Sequence, residues 1–259
     1  NVFAIVPNGN WNDRIQASGA KHIEWKLNRS DRNPFSEISA ILSLTKILRK
    51  LKPDIVQNFH TKPNIYAPIA AKLAGVQLTI STVTGLGYTF VDRRGLGAKL
   101  GKILNLSMYS ISNRAADEVT FQNPDDMRLL RKNFGLPNSK GRLIPGGSGV
   151  DVTEYQPNTR NSPQSIELRR SLGIPEDAFV AMFVGRLQLD KGLIEFIEAA
   201  RIIKQKRRDV VFIVVGAPDP GNKRSVTNSM LNRWKSEGDV IFTGRREDVP
   251  CLMAMSNTI

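Results

Sequence analysis

The chain has 259 residues, 41% of them hydrophobic and 24% charged, which suits a globular protein with room for two domains and argues against disorder. Its longest apolar runs are strand-length, far short of the roughly 18 residues that a spanning helix needs, and one cysteine with two histidines excludes a disulfide framework and a cysteine-based metal cluster. The formal net charge of +13 is uneven, +9 over residues 1–157 (21 basic against 12 acidic) and +4 over the remainder (16 against 12); such a bias suits nucleic acid, an anionic bilayer or phosphorylated ligands and does not choose among them.

The first residue is Asn1, and 2–7 already reads as a strand with no signal-peptide pattern before it, so the chain is expected to begin inside a domain. A second strand is expected over 22–27, where His, Glu and Lys alternate with Ile, Trp and Leu. From Pro34 an apolar stripe through Ile38, Ile41, Leu44, Leu48 and Leu51 predicts a helix closed by Pro53, with Lys46, Arg49, Lys50 and Lys52 off the seam. Strands at 54–58, 78–83, 118–122 and 142–144 then alternate with helices at 64–74 (stopped by Gly75), 99–114 and 125–133. Such alternation predicts a parallel sheet covered on both faces.

A glycine-rich turn at 145–151 leads into a polar, helix-hostile stretch at 155–165, where a linker is expected. The pattern then restarts with helices at 166–172, 192–204, 223–237 and 248–255 and strands at 178–184, 210–215 and 240–243. The fold class is therefore α/β, with two doubly wound, Rossmann-like parallel-sheet domains at 1–157 and 158–259. Both read as incomplete: the first lacks an opening strand, loop and helix, and the second breaks off in SNTI as if entering another strand.

In open parallel sheets ligands bind beyond the carboxyl ends of the strands, which selects the loops at 58–61, 84–89, 145–151, 185–191, 216–219 and 244–248. In FVGRLQLDKGL (183–193), Gly185 and Arg186 end a strand and Lys191 precedes a helix, so two cations sit near a helix N-terminus. A phosphate site and a solvated turn both satisfy that spacing. His60, at a strand end in NFHTKPN, reads either as a functional group or as an ordinary solvated histidine, and the glycines of TGLG (84–87) and GGSG (146–149) as ligand-approach loops, turns or a hinge. There is no G-x-G-x-x-G, P-loop, G-x-S-x-G or Cys/His pattern. The acidic pairs Asp117–Glu118 and Asp125–Asp126 look like helix-terminal charges.

Taken together, the stretches 52–76, 82–90 (TVTGLGYTF), 144–157 (IPGGSGVDVTEYQP), 183–200, 214–222 (VVGAPDPGN) and 240–250 (VIFTGRREDVP) resemble one family in order: the retaining, nucleotide-sugar-dependent glycosyltransferases of family 4. These have the GT-B fold of two facing Rossmann-like domains. TGLGY resembles the branch that extends polyprenyl-diphosphate-linked glycans of the capsule and O-antigen type. The resemblance implies transfer of a hexosyl or N-acetylhexosaminyl group from a nucleotide-sugar donor, UDP-linked, to a glycan or polyprenyl-diphosphate-linked acceptor, with retention of configuration. It assigns the donor's diphosphate to Arg186 and Lys191, close backbone approach to Gly185, and further donor contacts to Gly216, Gly244 and Arg245. His60 would lie near the transferred sugar, with Thr84, Gly85, Gly87, Tyr88, Gly147 and Gly149 on the acceptor side. No metal and no cofactor are implied, since two cationic side chains can take the place of magnesium on the leaving group. The Glu-x₇-Glu motif of the family would follow SNTI, so the chain carries about half of the expected donor site and is expected to have no appreciable turnover alone.

The basic first half, including Arg93, Arg94, Lys99 and Lys102, suits an acceptor at an anionic membrane, which implies a cytoplasmic protein peripheral to the inner face of the membrane. Nucleic acid is not an expected partner. Rival readings are an inactive fragment, or another GT-B enzyme such as a nucleotide-sugar epimerase or a sugar-phosphate synthase.

Overall fold

The computed structural model describes residues 1–9, 11–27, 34–85, 107–156, 162–219, 221–222 and 224–259, and divides into two units, Asn1–Gly149 and Val150–Ile259. The division falls eight residues before the boundary expected from composition. Every ladder between the described strands is parallel.

In the first unit the order is β1 (Phe3–Val6), α1 (Asn12–Ala17), β2 (Lys21–Glu24), α2 (Pro34–Leu51), β3 (Ile55–Phe59), α3 (Thr61–Ala74), β4 (Leu78–Val83), a helical segment at 107–115 (α4), β5 (Glu118–Phe121), α5 (Pro124–Asn133) and β6 (Gly141–Leu143). Helix α2 buries Ala40, Ile41, Leu44, Thr45 and Leu48, the one face that a 3.6-residue period provides. It packs on α3, where alanines at 67, 70 and 71 allow close approach and Gly75 ends the helix in the left-handed region at φ 78°. Trp25, after β2, joins the same core and donates its indole N–H to Ala40 O at 3.2 Å. Helix α1 was not foreseen, because six residues without a buried side chain carry no apolar stripe.

These strands form two sheets, β1-β2 and β3-β4-β5-β6, with no ladder between them. Ile5 of β1 nevertheless packs against the core that contains Val83, Val119 and Phe121 of the larger sheet. On β3, Ile55, Gln57 and Phe59 are exposed, so alternate residues of this sheet-edge strand have an uncovered face.

The second unit runs α6 (Pro163–Ser171), β7 (Phe179–Val184), a 3₁₀ turn (Leu189–Lys191), α7 (Leu193–Lys204), β8 (Val210–Val215), α8 (Asn228–Glu237), β9 (Ile241–Gly244) and α9 (Val249–Met255). The sheet order is β7-β8-β9, and Thr258 adds a parallel bridge to Ala181 on the outer side of β7. The two-residue period of the strands divides their side chains between two cores. Ala181, Phe212 and Val214 face α7 and α8, whereas Val180, Met182, Ile213 and Val215 face α6 and α9. Each such fully buried aliphatic side chain contributes about 1.5–3 kcal/mol.

Helix α8 begins at Asn228, five residues later than its composition predicts. Residues 224–226 are drawn back onto the loop after β7 by Leu189 N–H to Arg224 O and Val226 N–H to Leu187 O, at 3.0 and 2.9 Å. Thr227 Oγ1 then caps the helix by accepting from Met230 N–H.

Candidate donor and acceptor sites

Beyond the carboxyl ends of β7, β8 and β9 the backbone continues to pair. Gly185 N–H donates to Val215 O at 3.0 Å, Leu187 N–H to Ala217 O at 3.1 Å and Gly216 N–H to Gly244 O at 2.9 Å. A Cβ on Gly216 would lie 1.8 Å from Gly185 O, and the φ of Gly216 is 144°, so only glycine lets these two loops meet. Gly244 is also left-handed, at φ 74°. Three glycines expected on the donor side, Gly185, Gly216 and Gly244, are thus joined into one floor.

Arg186 stands on this floor with its side chain 64% exposed. Its Nη1 donates to Asp219 Oδ2 at 3.0 Å, and the buried Gln188 donates Nε2 to the same oxygen at 3.3 Å. Asp219 is itself fixed by its backbone N–H to Ser225 Oγ at 2.8 Å. Residue type and spacing point to Arg186 but not to Asp219, which is 33 residues away in an otherwise ordinary turn.

Lys191 ends the 3₁₀ turn and is exposed, and Gly192, at φ 79°, reverses the chain into α7. Among the described residues no side chain caps α7. Its first N–H groups, with Lys191 and Arg186, are of the type that receives an anion. Arg245 is exposed beside Gly244, while Arg246 next to it is committed to Asp248 through Nε to Oδ1 at 2.8 Å and Nη2 to Oδ2 at 2.5 Å. The Arg246 hydrogen bonds hold the Asp248 carboxyl below the usual range.

In the first unit, His60 terminates β3 with φ 68° and ψ 165°, a region almost reserved for glycine, and its carbonyl accepts Asn64 N–H at 3.0 Å as α3 begins. Its Nδ1 lies 3.2 Å from Thr84 Oγ1 at the end of β4, so His60 and Thr84 meet as expected of neighbouring strand ends. Below them is a buried amide network. Asn58 Nδ2 donates to Asn64 Oδ1 at 2.6 Å and Ser81 Oγ at 3.0 Å, and Asn64 Nδ2 donates to Thr82 O at 3.0 Å. It fixes the ends of β3 and β4 and the start of α3 together, which sets the backbone that carries His60.

Gly85, at φ 137°, continues from Thr84. Gly147 and Gly149 follow β6, two strands away from β4, with φ 69° and 73°, and Gln122 Nε2 donates to Ser148 Oγ between them. Gly87, Tyr88, Arg93, Arg94, Lys99 and Lys102 lie outside the described residues.

Residues 1–123 match the family described as Glycosyl transferase 4-like, and residues 164–259 the one described as Glycosyl transferases group 1. The chain is 29% identical over 248 residues to N,N'-diacetylbacillosaminyl-diphospho-undecaprenol alpha-1,3-N-acetylgalactosaminyltransferase of Campylobacter jejuni, a match covering 96% of this chain and 63% of the relative. It is 26% identical over 223 residues to UDP-Gal:alpha-D-GlcNAc-diphosphoundecaprenol alpha-1,3-galactosyltransferase of Escherichia coli, covering 85% of this chain and 54% of the relative. The chain therefore spans between half and two thirds of the length of these relatives. Among solved structures, Anabaena Alr3699/HepE in complex with UDP and glucose superposes with a TM-score of 0.72 at 20% identity, over 98% of this chain and 64% of that one. WaaG, a glycosyltransferase involved in lipopolysaccharide biosynthesis, gives 0.62 at 16% identity over 98% and 73%.

Proposed function

We propose that this chain, a glycosyltransferase by its matches to the 4-like family over residues 1–123 and the group 1 family over residues 164–259, contributes the acceptor side and donor-binding residues of a retaining glycosyltransferase. The donor is a UDP-linked hexose or N-acetylhexosamine and the acceptor a polyprenyl-diphosphate-linked glycan. The names of the Campylobacter and Escherichia relatives support this choice of substrates. The observation that carries the donor assignment is the stitched floor of Gly185, Gly216 and Gly244, with Arg186 and Lys191 on the loop that leaves it after β7.

As the glycosidic bond breaks, negative charge accumulates on the departing nucleoside diphosphate. Arg186, Lys191 and the uncapped N–H groups of α7 stabilise that charge most where it is greatest, in the transition state. Arg245 borders the nucleotide. His60 orients an acceptor or sugar hydroxyl, with Thr84 fixing the ring, and Gly85, Gly147 and Gly149 are assigned to the acceptor side.

The first unit is assigned to the acceptor and the second to the donor. On α2, Phe35, Ile38 and Leu42 are exposed at helical spacing, with Lys46, Arg49 and Lys50 following. Contact of this helix with an anionic membrane, from the cytoplasmic side, accounts for both the stripe and the charge; no described helix is long and apolar enough to cross a membrane. Sedimentation with anionic and neutral liposomes tests this, and equal binding to both sinks it.

Isothermal titration of the chain with UDP tests the donor assignment. UDP is expected to bind, and Arg186→Ala and Lys191→Ala each to weaken it about tenfold or more, the size of one charge-assisted contact. Binding indifferent to both substitutions would refute the assignment.

A further inference from the structure

We infer that Asp219 is a built-in stand-in for the donor's phosphate: it holds Arg186 while the site is empty and gives the guanidinium up when a diphosphate arrives. This rests on the assignment of Arg186 to the donor. The carboxylate is the fixed partner and the arginine the movable one. Asp219 is anchored through its backbone to Ser225 Oγ, its Oδ2 keeps the hydrogen bond from buried Gln188 when Arg186 leaves, and the turn that carries it is bridged to the β7 loop at Leu187 and Pro218. Arg186 is tied to Asp219 through Nη1 alone and is the more exposed partner, 64% against 34%.

Relative strengths set the direction of exchange. A single-point, solvent-exposed ion pair is weak, whereas a diphosphate offers more charge and accepts a two-pronged guanidinium. The donor therefore wins Arg186, and Asp219 reduces its affinity only modestly. The same competition returns Arg186 to Asp219 as the nucleoside diphosphate leaves, which favours product release. An empty site without Asp219 would hold two unpaired cations and bind any free phosphate more readily.

The test is UDP titration of the wild-type chain, Asp219→Asn, Arg186→Ala and the double variant, with pyrophosphate as a second probe lacking the nucleoside. Asp219→Asn keeps the side-chain shape and removes the charge. It is expected to tighten both ligands about two- to fivefold, the range an exposed pair can contribute, and to do so only where Arg186 is present. Unchanged or weaker binding by Asp219→Asn, with Arg186→Ala still impaired, overturns the exchange alone. Tightening of the same size in the Arg186→Ala background means simple charge repulsion and also overturns it. No UDP binding by the wild type, or none lost on Arg186→Ala, overturns the donor assignment and the exchange with it. Thermal unfolding of each variant separates these outcomes from misfolding.

Discussion

Gly216 and Gly185 meet backbone to backbone: the position of a Cβ on Gly216 is occupied by the Gly185 carbonyl, 1.8 Å away. The contact closes the carboxyl edge of the second sheet, because Gly185 N–H also binds Val215 O and Gly216 N–H binds Gly244 O. Gly216→Ala is expected to destabilise the chain by about 3 kcal/mol or more, since backbone strain of about 1–3 kcal/mol is compounded by a clash that no side chain can relieve. Gly244→Ala meets nothing within 4 Å and incurs only its left-handed φ of 74°, about 1–2 kcal/mol. Urea unfolding of the two variants checks the order, and equal losses would contradict the backbone contact.

At His60, the N-cap of α3, backbone strain adds to the preference that a helix start already has for glycine over alanine. At φ 68° and ψ 165° any Cβ is strained, and the bond to Thr84 Oγ1 offsets only part of this. His60→Ala loses the bond and keeps the strain, whereas His60→Gly loses both. The glycine variant is therefore expected to be more stable than the alanine variant by about 1–2 kcal/mol, with transferase activity of the whole enzyme lost in both. Unfolding midpoints in the order alanine above glycine would remove strain from the account of His60.

The alternation of strands and helices was legible because each element presents a clean period. Val210–Val215, buried on nearly every side chain, matches its expected bounds, and α2 begins and ends where Pro34 and Pro53 place it. What escaped notice depends on residues distant in sequence. The delayed start of α8 is caused by pairing of 224–226 with 187–189, which no local propensity reports. The glycines and cations of the candidate site were visible as residue types at strand ends, yet the partner of Arg186 was not, nor was the strain at His60, since histidine carries no mark of a positive φ. The Asn58–Asn64–Ser81 network is equally silent in sequence, because amides and hydroxyls in strands and helices usually face water.

Arg169 and Arg170 are neighbours with opposite prospects. Arg169 is buried and donates to the carbonyls of Met255, Pro175, Glu176 and Ala178, tying α6 to the end of α9 and the approach to β7. Arg170 forms an exposed pair with Glu167, with the side chains 72% and 68% accessible. Replacing Arg169 by methionine strands several buried acceptors and is expected to cost about 3 kcal/mol, and lysine, without the planar fork, recovers little of it. Arg170→Met should cost less than about 1 kcal/mol. Chemical denaturation of the three variants provides the comparison, and a full rescue by Arg169→Lys would show that charge rather than fork geometry matters.

Tyr109 gives the first unit a limit at alkaline pH. Its ring is buried against Phe134, and burial pushes the phenol far above the ordinary tyrosine value of about 10; a hydrogen bond with Thr61 lowers it only in part, and the charge of Asp126 raises it further. Because the folded state holds this proton more tightly than the unfolded chain, the associated stability is complete below about pH 10 and is lost as pH rises, by up to about 1.4 kcal/mol per unit. Tyr109→Phe cannot ionise, so its advantage over wild type, or its deficit, should shift in its favour between pH 8 and pH 11. Urea unfolding at both values measures that shift, with absorbance at 295 nm reporting phenolate in parallel. Wild type and Tyr109→Phe losing equal stability over this interval would show that Tyr109 ionises within the folded unit, and that its burial does not protect the phenol.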